Sequence, residues 1–313
     1  MNYLVTGGAG FIGSHIAEYL IDHGHEVTVI DNLATGNMGN IQHLRDNPHF
    51  HFVQGSITDP GLLKDTFKNA DGIFHQAAIP SVPRSIKDPV ATNDANVNGT
   101  LQVLVAAKEC GVKKVVYASS SSVYGDTPTL PKVEGMLPNP KSPYAVSKLA
   151  GEYYCRVFSD AYGISTVALR YFNVFGPRQD PESQYAAVIP RFITRSLAGK
   201  PPIIYGDGTQ TRDFTYVKDV VQANVKAMES NAQGVFNVAY NQRISLLSLV
   251  DIIAEETGVK VNPVFKPPRP GDIHDSQADI SAAQKAFGYA LEYTVRSGLK
   301  ETIVWFRRTA AMN

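Results

Sequence analysis

Only two cysteines occur in the 313-residue sequence, Cys110 and Cys155, far apart and each in a helix-like stretch. A single possible pair makes no disulfide scaffold, and without a Cys/His cluster at ligand spacing no metal site is expected. A reducing, cytoplasmic setting fits this cysteine usage. Neither sign of charge is in excess: 29 Lys and Arg balance 29 Asp and Glu, and the pI is about 7.1. Such balance argues against nucleic acid or an anionic membrane surface as the partner. No apolar run reaches the ~18 residues that would suggest a membrane span. The opening "MNYLVTGG" carries neither a basic region nor a cleavable apolar segment. Internal repeats and low-complexity tracts are missing as well.

What is present is a core-forming chain, 43% hydrophobic, long enough for one large domain or two unequal ones. Short β-rich runs, "NYLVT", "EVTVID", "FHFVQG", "GIFHQAA", "KKVVYAS", "STVALRYF" and "GVFNVAY", read as about seven strands buried on both faces. Helical stretches lie between most of them, and several end in glycine. Alternation of this kind predicts an α/β fold of right-handed βαβ units, a Rossmann-type doubly wound parallel sheet. From about Asn173 the prolines and glycines of "GPRQDPES", "GKPPIIYGDG" and "KPPRPGD" crowd together and the strands shorten. This predicts a dinucleotide-binding domain over 1–174 plus about 214–241, and a smaller α/β substrate domain over 175–213 and 242–313.

"VTGGAGFIGSHIAEYL" runs from a strand through glycines into a helix, with Gly7, Gly10 and Gly13 at a three-residue spacing and Gly8 offering a second register. Glycines let backbone approach a pyrophosphate, and the helix start supplies N–H donors and a positive dipole end. By itself the pattern could be an ordinary turn. Its place in the first βαβ unit, with Asp31 ending the second strand, makes it a dinucleotide site. An acidic residue there favours NAD over NADP, because it repels a 2′-phosphate.

"YASSSSVYG" sets four serines at a strand's carboxyl end, and "SPYAVSK" places Tyr144 and Lys148 one helical turn apart behind Pro143. As a surface pair these two would add only ~0.2–0.5 kcal/mol, and the serines alone would read as a polar strand-to-loop junction. Together they form a proton-transfer set. The hydroxyl shuttles, the phenolate accepts the proton, and Lys148 with a positive nicotinamide lowers the phenol's pKa.

Taken in order, "TGGAGFIG", "SSSSVYG", "SPYAVSK", "RYFNVFGPRQ", "DGTQTRDF" and "RPGDIHDSQAD" resemble the extended short-chain dehydrogenase/reductase superfamily, and within it the UDP-glucose / UDP-N-acetylglucosamine 4-epimerases, over nearly the whole chain. The resemblance implies Tyr144 as base, Lys148 as its partner and Ser120 as the catalytic serine, with Ser121 a close second. It implies NAD contacts from Gly7, Gly10, Phe11, Ile12, Gly13, Asp31 and Asn32, from Ser56 and Ile57, from Gln76, Ala77 and Ala78, and from Asn96, Ser119 and Tyr171. For a UDP-sugar it implies Asn173, Val188, Arg212, Arg269, Asp272 and Ser276, the arginines clamping the diphosphate, where bidentate forks suit phosphate. Ser56 departs from the Gly-Asp pattern frequent at that place. Ser121 and Ser122 stand where a 4,6-dehydratase would carry Asp-Glu and a UDP-glucuronate decarboxylase a Glu at 122. A UDP-glucuronate 4-epimerase shares the serine run. A non-catalytic dinucleotide sensor would not need Tyr144, Lys148 and Ser120 together. The helices "TNDANVNGTLQVLVAAKECG" and "SPYAVSKLAGEYYCRVFSDAYG" are apolar on more than one face, as burial on two sides within a monomer would also require, and the family resemblance implies that they pair across a two-fold axis into the four-helix bundle of a homodimer.

The chemistry so implied removes the proton of the sugar's 4′-hydroxyl, oxidises C4, turns the 4-keto sugar and reduces it on its other face. In relatives restricted to unacetylated sugars a tyrosine stands seven residues after the clamp arginine. Here that position is Ser276, which leaves room for a 2-acetamido group.

Overall fold

The computed structural model describes residues 1–181, 187–260, 262–268 and 274–312. In the first half the strands are β1 (Asn2–Thr6), β2 (Glu26–Asp31), β3 (Phe50–Gln54), β4 (Gly72–His75), β5 (Lys114–Ser120) and β6 (Ser165–Tyr171). Between them run α1 (Phe11–Asp22), α2 (Pro60–Thr66), α3 (Val82–Lys87), α4 (Pro89–Asn93), α5 (Gly99–Glu109) and α6 (Pro143–Tyr162). Then come β7 (Val174–Phe175), α7 (Val188–Leu197), β8 (Ile203–Tyr205), β9 (Thr211–Arg212), β10 (Thr215–Tyr216) and α8 (Val217–Glu229). The chain ends with β11 (Gly234–Val238), β12 (Ile244–Ser245), α9 (Leu246–Thr257), β13 (Val264–Lys266), α10 (Ser281–Phe287) and α11 (Val295–Met312).

Seven parallel strands form the main sheet in the order β11-β6-β5-β4-β1-β2-β3, as the seven apolar runs predict. Neighbouring residues alternate between its two faces. Val5, Val29, Phe74 and Val116 pack into one buried cluster, whereas Leu4, Ile30, Ile73 and Val115 pack into the other. Burial on both sides is what continuous Val/Ile/Leu runs require. Each such side chain contributes roughly 1.5–3 kcal/mol by leaving water. A third cluster, with Phe175, Phe192, Phe214, Tyr216, Leu249 and Leu299 at its centre, lies outside the sheet. Around it the strands come only in pairs: β7 with β10, β9 with β12 and β8 with β13.

Helix limits follow local chemistry. Ser142 caps α6 by accepting the Ala145 N–H at 3.2 Å, Pro143 occupies the first turn, and Gly163 ends the helix at φ +73°. Proline costs nothing at that end because its missing N–H would have no helical partner, and glycine enters the left-handed region without a Cβ clash. The sheet register puts Thr6, Asp31, His75, Ser120 and Tyr171 at the strands' carboxyl ends, with Ser120 beside Tyr171. No helix among the described residues is long and apolar enough to cross a membrane.

Candidate active site

The glycine turn is built for close approach. Gly7 has φ +70°, and a Cβ there would sit 2.7 Å from the Ala77 backbone. At Gly13 a Cβ would fall 2.3 Å from the Gly7 carbonyl oxygen. Gly10, in extended conformation, begins α1 without a side-chain cap, so no capping oxygen takes the N–H groups of the first turn, from Phe11, Ile12 and Gly13, and they suit an anionic ligand. Asp31 is buried and accepts the N–H groups of Ala9 (3.0 Å) and Leu33 (2.8 Å). Burial raises its pKa and those two N–H bonds oppose the rise. Asn32 is exposed and accepts the Ala34 N–H.

Several neighbouring groups turn out to be committed elsewhere. Ser56 accepts the Thr58 N–H and bonds the Thr58 hydroxyl at 2.8 Å, while Ile57 is a core residue beneath Gly99. The Ser119 hydroxyl donates its one proton to Glu152 Oε1 at 2.5 Å. Gln76 and Tyr171 share Asn224 of α8: the Tyr171 hydroxyl lies 2.9 Å from Asn224 Oδ1 and 3.2 Å from Gln76 Oε1. Asn96 sits in a five-residue π-helical turn, Asp94–Asn98. There its amide bonds both the N–H and the carbonyl of Ile79 and donates to Ser147 Oγ at 3.0 Å, tying the loop after β4, which carries Ala77 and Ala78, to α6.

Ser120, Tyr144 and Lys148 do come together. Ser120 ends β5, accepts the Ser122 N–H at 3.2 Å, and lies near enough to Tyr144 for its hydroxyl to favour the phenolate. Lys148, one turn along α6, is buried and donates to the Ala118 carbonyl at 2.8 Å. Burial pushes this ammonium down to about 7. Burial raises the Tyr144 phenol and the Ser120 hydrogen bond lowers it, with a net rise. The expectation that the lysine brings the phenol down is therefore not met by the protein groups alone. Ser121 follows Ser120 in a single 3-10 turn.

Beneath this set lies a buried ion pair that sequence reasoning missed. Arg170 of β6 grips Glu152 of α6 with two bonds, Nε–Oε1 at 2.8 Å and Nη2–Oε2 at 2.7 Å, and its guanidinium stacks on Tyr124 at 4.6 Å. Glu152 stands one turn beyond Lys148, so the pair fixes α6 against the strands that carry Ser120 and Tyr171.

A separate cavity of about 260 Å³ opens between α7, β8 and β9. Of the expected substrate residues it gathers Asn173, Val188 and Arg212, and it adds Arg191, Tyr205 and Gln210. Gln210 donates to the Tyr205 carbonyl at 2.5 Å, and its Oε1 is buried without a partner. Ser276 joins Asn173: Asn173 Nδ2 lies 3.4 Å from Ser276 Oγ. Arg269 and Asp272 lie outside the described residues.

The model of the NAD dependent epimerase/dehydratase family matches residues 3–241. The chain belongs to that family. The family's enzymes use NAD, and the glycine cradle, the uncapped start of α1 and Asp31 fit this cofactor. Among its relatives, a UDP-glucose 4-epimerase of Mycolicibacterium smegmatis is 40% identical over 312 residues, 98% of this chain and 99% of that one. A UDP-N-acetylglucosamine 4-epimerase from Methanobrevibacter ruminantium, solved with UDP-N-acetylmuramic acid, superposes with a TM-score of 0.95 at 43% identity over 98% of both chains. The Thermus thermophilus UDP-glucose 4-epimerase, solved with NAD, gives 0.89 at 38% identity over 98% of this chain and 99% of that one.

Proposed function

We propose that this enzyme interconverts UDP-hexoses at C4: UDP-glucose with UDP-galactose, and UDP-N-acetylglucosamine with UDP-N-acetylgalactosamine. The observation that carries the reading is the meeting of Ser120 at the end of β5 with Tyr144 and Lys148 of α6, Lys148 Nζ lying 5.9 Å from the Tyr144 ring centre. NAD held there supplies a reversible two-electron acceptor for the sugar carbon. Tyr144 takes the proton of the 4′-hydroxyl through or beside Ser120 as C4 becomes a ketone, and it returns that proton after the hexose has turned. Lys148 Nζ, anchored on Ala118, keeps a positive charge within one turn of the phenol in its protonated form. Positioned acid–base groups of this kind supply ~10²–10⁴-fold in rate.

Arg212, with Arg269, grips the diphosphate while the hexose turns, so binding energy sits away from the reacting carbon. Val188 and Asn173 complete that grip. Ser276, 3.4 Å from Asn173, is a small side chain where a tyrosine would narrow the sugar side, which supports turnover of acetylated sugars. The serines at 121 and 122 carry no acid to eliminate water or assist decarboxylation, which disfavours those two chemistries. In this reading 1–174 with about 214–241 holds NAD, and 175–213 with 242–313 holds the UDP-sugar. A second copy of the chain covers the exposed Val146, Tyr153 and Val157 of α6, making a homodimer. Purified protein incubated with UDP-glucose, UDP-N-acetylglucosamine and UDP-glucuronate, with products separated by chromatography, tests the proposal. Turnover of the glucuronate alone would favour the UDP-glucuronate 4-epimerase reading, and bound NAD without turnover of any would favour a sensor.

A further inference from the structure

Three chain segments with no sequence proximity meet at one carboxylate. Asp213, between Arg212 and Phe214, is fully buried. One oxygen accepts the Tyr240 N–H at 2.7 Å and the other accepts the Ala278 N–H at 3.1 Å, and the neighbouring Asn241 backbone also favours the ionised carboxylate. Asn241 holds φ +61°. That is an uncommon conformation for a residue other than glycine. On the main-chain side, the Asp213 carbonyl accepts Asn173 Nδ2 at 3.1 Å.

The segment 274–278 is attached to the same spot from both ends. The Ser276 N–H donates to the Thr211 carbonyl at 3.1 Å, and the Thr211 N–H donates to the His274 carbonyl at 3.0 Å. Arg212 Nη1 also donates to the His274 carbonyl at 2.9 Å. Asp213 therefore holds together Arg212, Asn173 and the stretch that carries Ser276, which are three of the groups assigned to the sugar nucleotide.

We propose that Asp213 is a positioning residue that sets the place of residues 274–278, and through them the enzyme's grip on its sugar nucleotide. The inference rests on the UDP-sugar reading of the cavity. An ionised carboxylate can accept every N–H aimed at it. A neutral acid or an amide offers fewer acceptor sites and adds a donor that opposes one of those N–H groups. The groups facing Asp213 are the N–H groups named above and the Tyr289 phenol, which follows α10 and donates to the Ala239 carbonyl. None is a cation, and burial pushes the Asp213 carboxyl up to about 7 although the backbone N–H groups around it oppose the rise. Arg212 beside it in the chain, the exposed His274 and Asp275 are the charged or titratable neighbours in and around the segment it holds; Asp275 pairs with His274 and Arg243 and bonds the Thr211 hydroxyl, and these contacts keep its carboxyl below the usual range.

The test measures KM and kcat for UDP-glucose between pH 8 and 6, with NAD content and Tm, in wild type, Asp213→Asn and His274→Gln. At pH 8, Asp213→Asn should raise KM about tenfold, the scale of a lost charge-assisted hydrogen bond, with kcat within about threefold of wild type and NAD content unchanged. Wild-type KM should rise as the pH falls through about 7. His274→Gln should keep that rise, and Asp213→Asn should lose it. If Asp213→Asn does not fold, the wild-type and His274→Gln profiles decide the matter. A wild-type KM in Asp213→Asn, a flat wild-type profile, or a rise that disappears in His274→Gln would overturn the inference. A lowered Tm with unchanged KM would assign Asp213 a merely structural part. Absence of turnover in wild type would instead overturn the UDP-sugar reading, and this inference with it.

Discussion

In the main sheet, β5 and β6 run in register through seven paired positions, and both faces of the sheet are covered by apolar clusters. Around Asp213 the strands are two residues long, and single hydrogen bonds to side chains join segments as distant as 213 and 278. The sheet side draws its order from repetition, where each strand is held by its neighbours and by many buried methyl groups. The pocket side draws its order from a few polar atoms, each used several times. A change in the sheet should therefore spread to folding, cofactor and rate together, whereas a change in the pocket should alter one ligand contact and little else.

The largest effect belongs to the chemistry the sheet supports. Tyr144→Phe should lower turnover of UDP-glucose by ~10²–10⁴-fold while Tm and NAD content stay close to wild type. A variant with normal turnover would move the proton elsewhere. Next comes the ion pair under α6. Glu152→Gln leaves the Arg170 charge buried and should cost ~3–5 kcal/mol of stability, read by chemical denaturation. Glu152→Met with Arg170→Met should recover much of that loss. Gly13→Ala forces a methyl against the Gly7 carbonyl and should cost ~1–3 kcal/mol in local strain, measured as lost NAD content in the purified protein.

Lys148 gives the sheet side a pH signature. Its ammonium is pushed down to about 7 in the fold and titrates near 10.4 when unfolded. Between those values the unfolded chain binds more protons, so in cofactor-free protein this group makes stability rise with pH, by up to ~1.4 kcal/mol per unit. Below about 7 both states are protonated and the slope vanishes. Lys148→Met should flatten Tm against pH over that window, and an unchanged slope would remove Lys148 as its source. The narrowest effect is on the pocket side. Ser276→Tyr should abolish turnover of the acetylated UDP-sugars and spare UDP-glucose, as followed by product chromatography. Equal loss on both pairs would make the pocket as interconnected as the sheet and erase the contrast.

This contrast also explains what could be read beforehand. The sheet strands were legible because burial on both faces writes itself as continuous apolar runs. Tyr144 and Lys148 were legible because a helix converts a spacing of four into proximity. Strands of two or three residues carry no period, so nothing in "YGDGTQTRDF" announces that Tyr205 and Gln210 line the cavity with Arg212. Asp213 carries no signal in the sequence, because its partners are backbone N–H groups that any residue but proline possesses. Glu152 lay in plain view one turn after Lys148. Arg170 lay seven residues after the end-of-helix Gly163, and only the folded strand reveals which charge meets which. The Ser119 hydroxyl has the same carboxylate as its partner, a pairing that likewise shows only in the fold.

β11 lies at the edge of the main sheet against β6, yet β7 through α8 are made between them. On a ribosome, six strands and the glycine turn emerge while the sheet still lacks its seventh, and Tyr171 waits for Asn224 of α8. Closing that long loop carries an entropic cost that grows only slowly with its length, so the delay is one of synthesis time rather than of thermodynamics. A nascent chain halted shortly after β6 would thus expose a bare sheet edge, the surface through which unfinished sheets most readily aggregate.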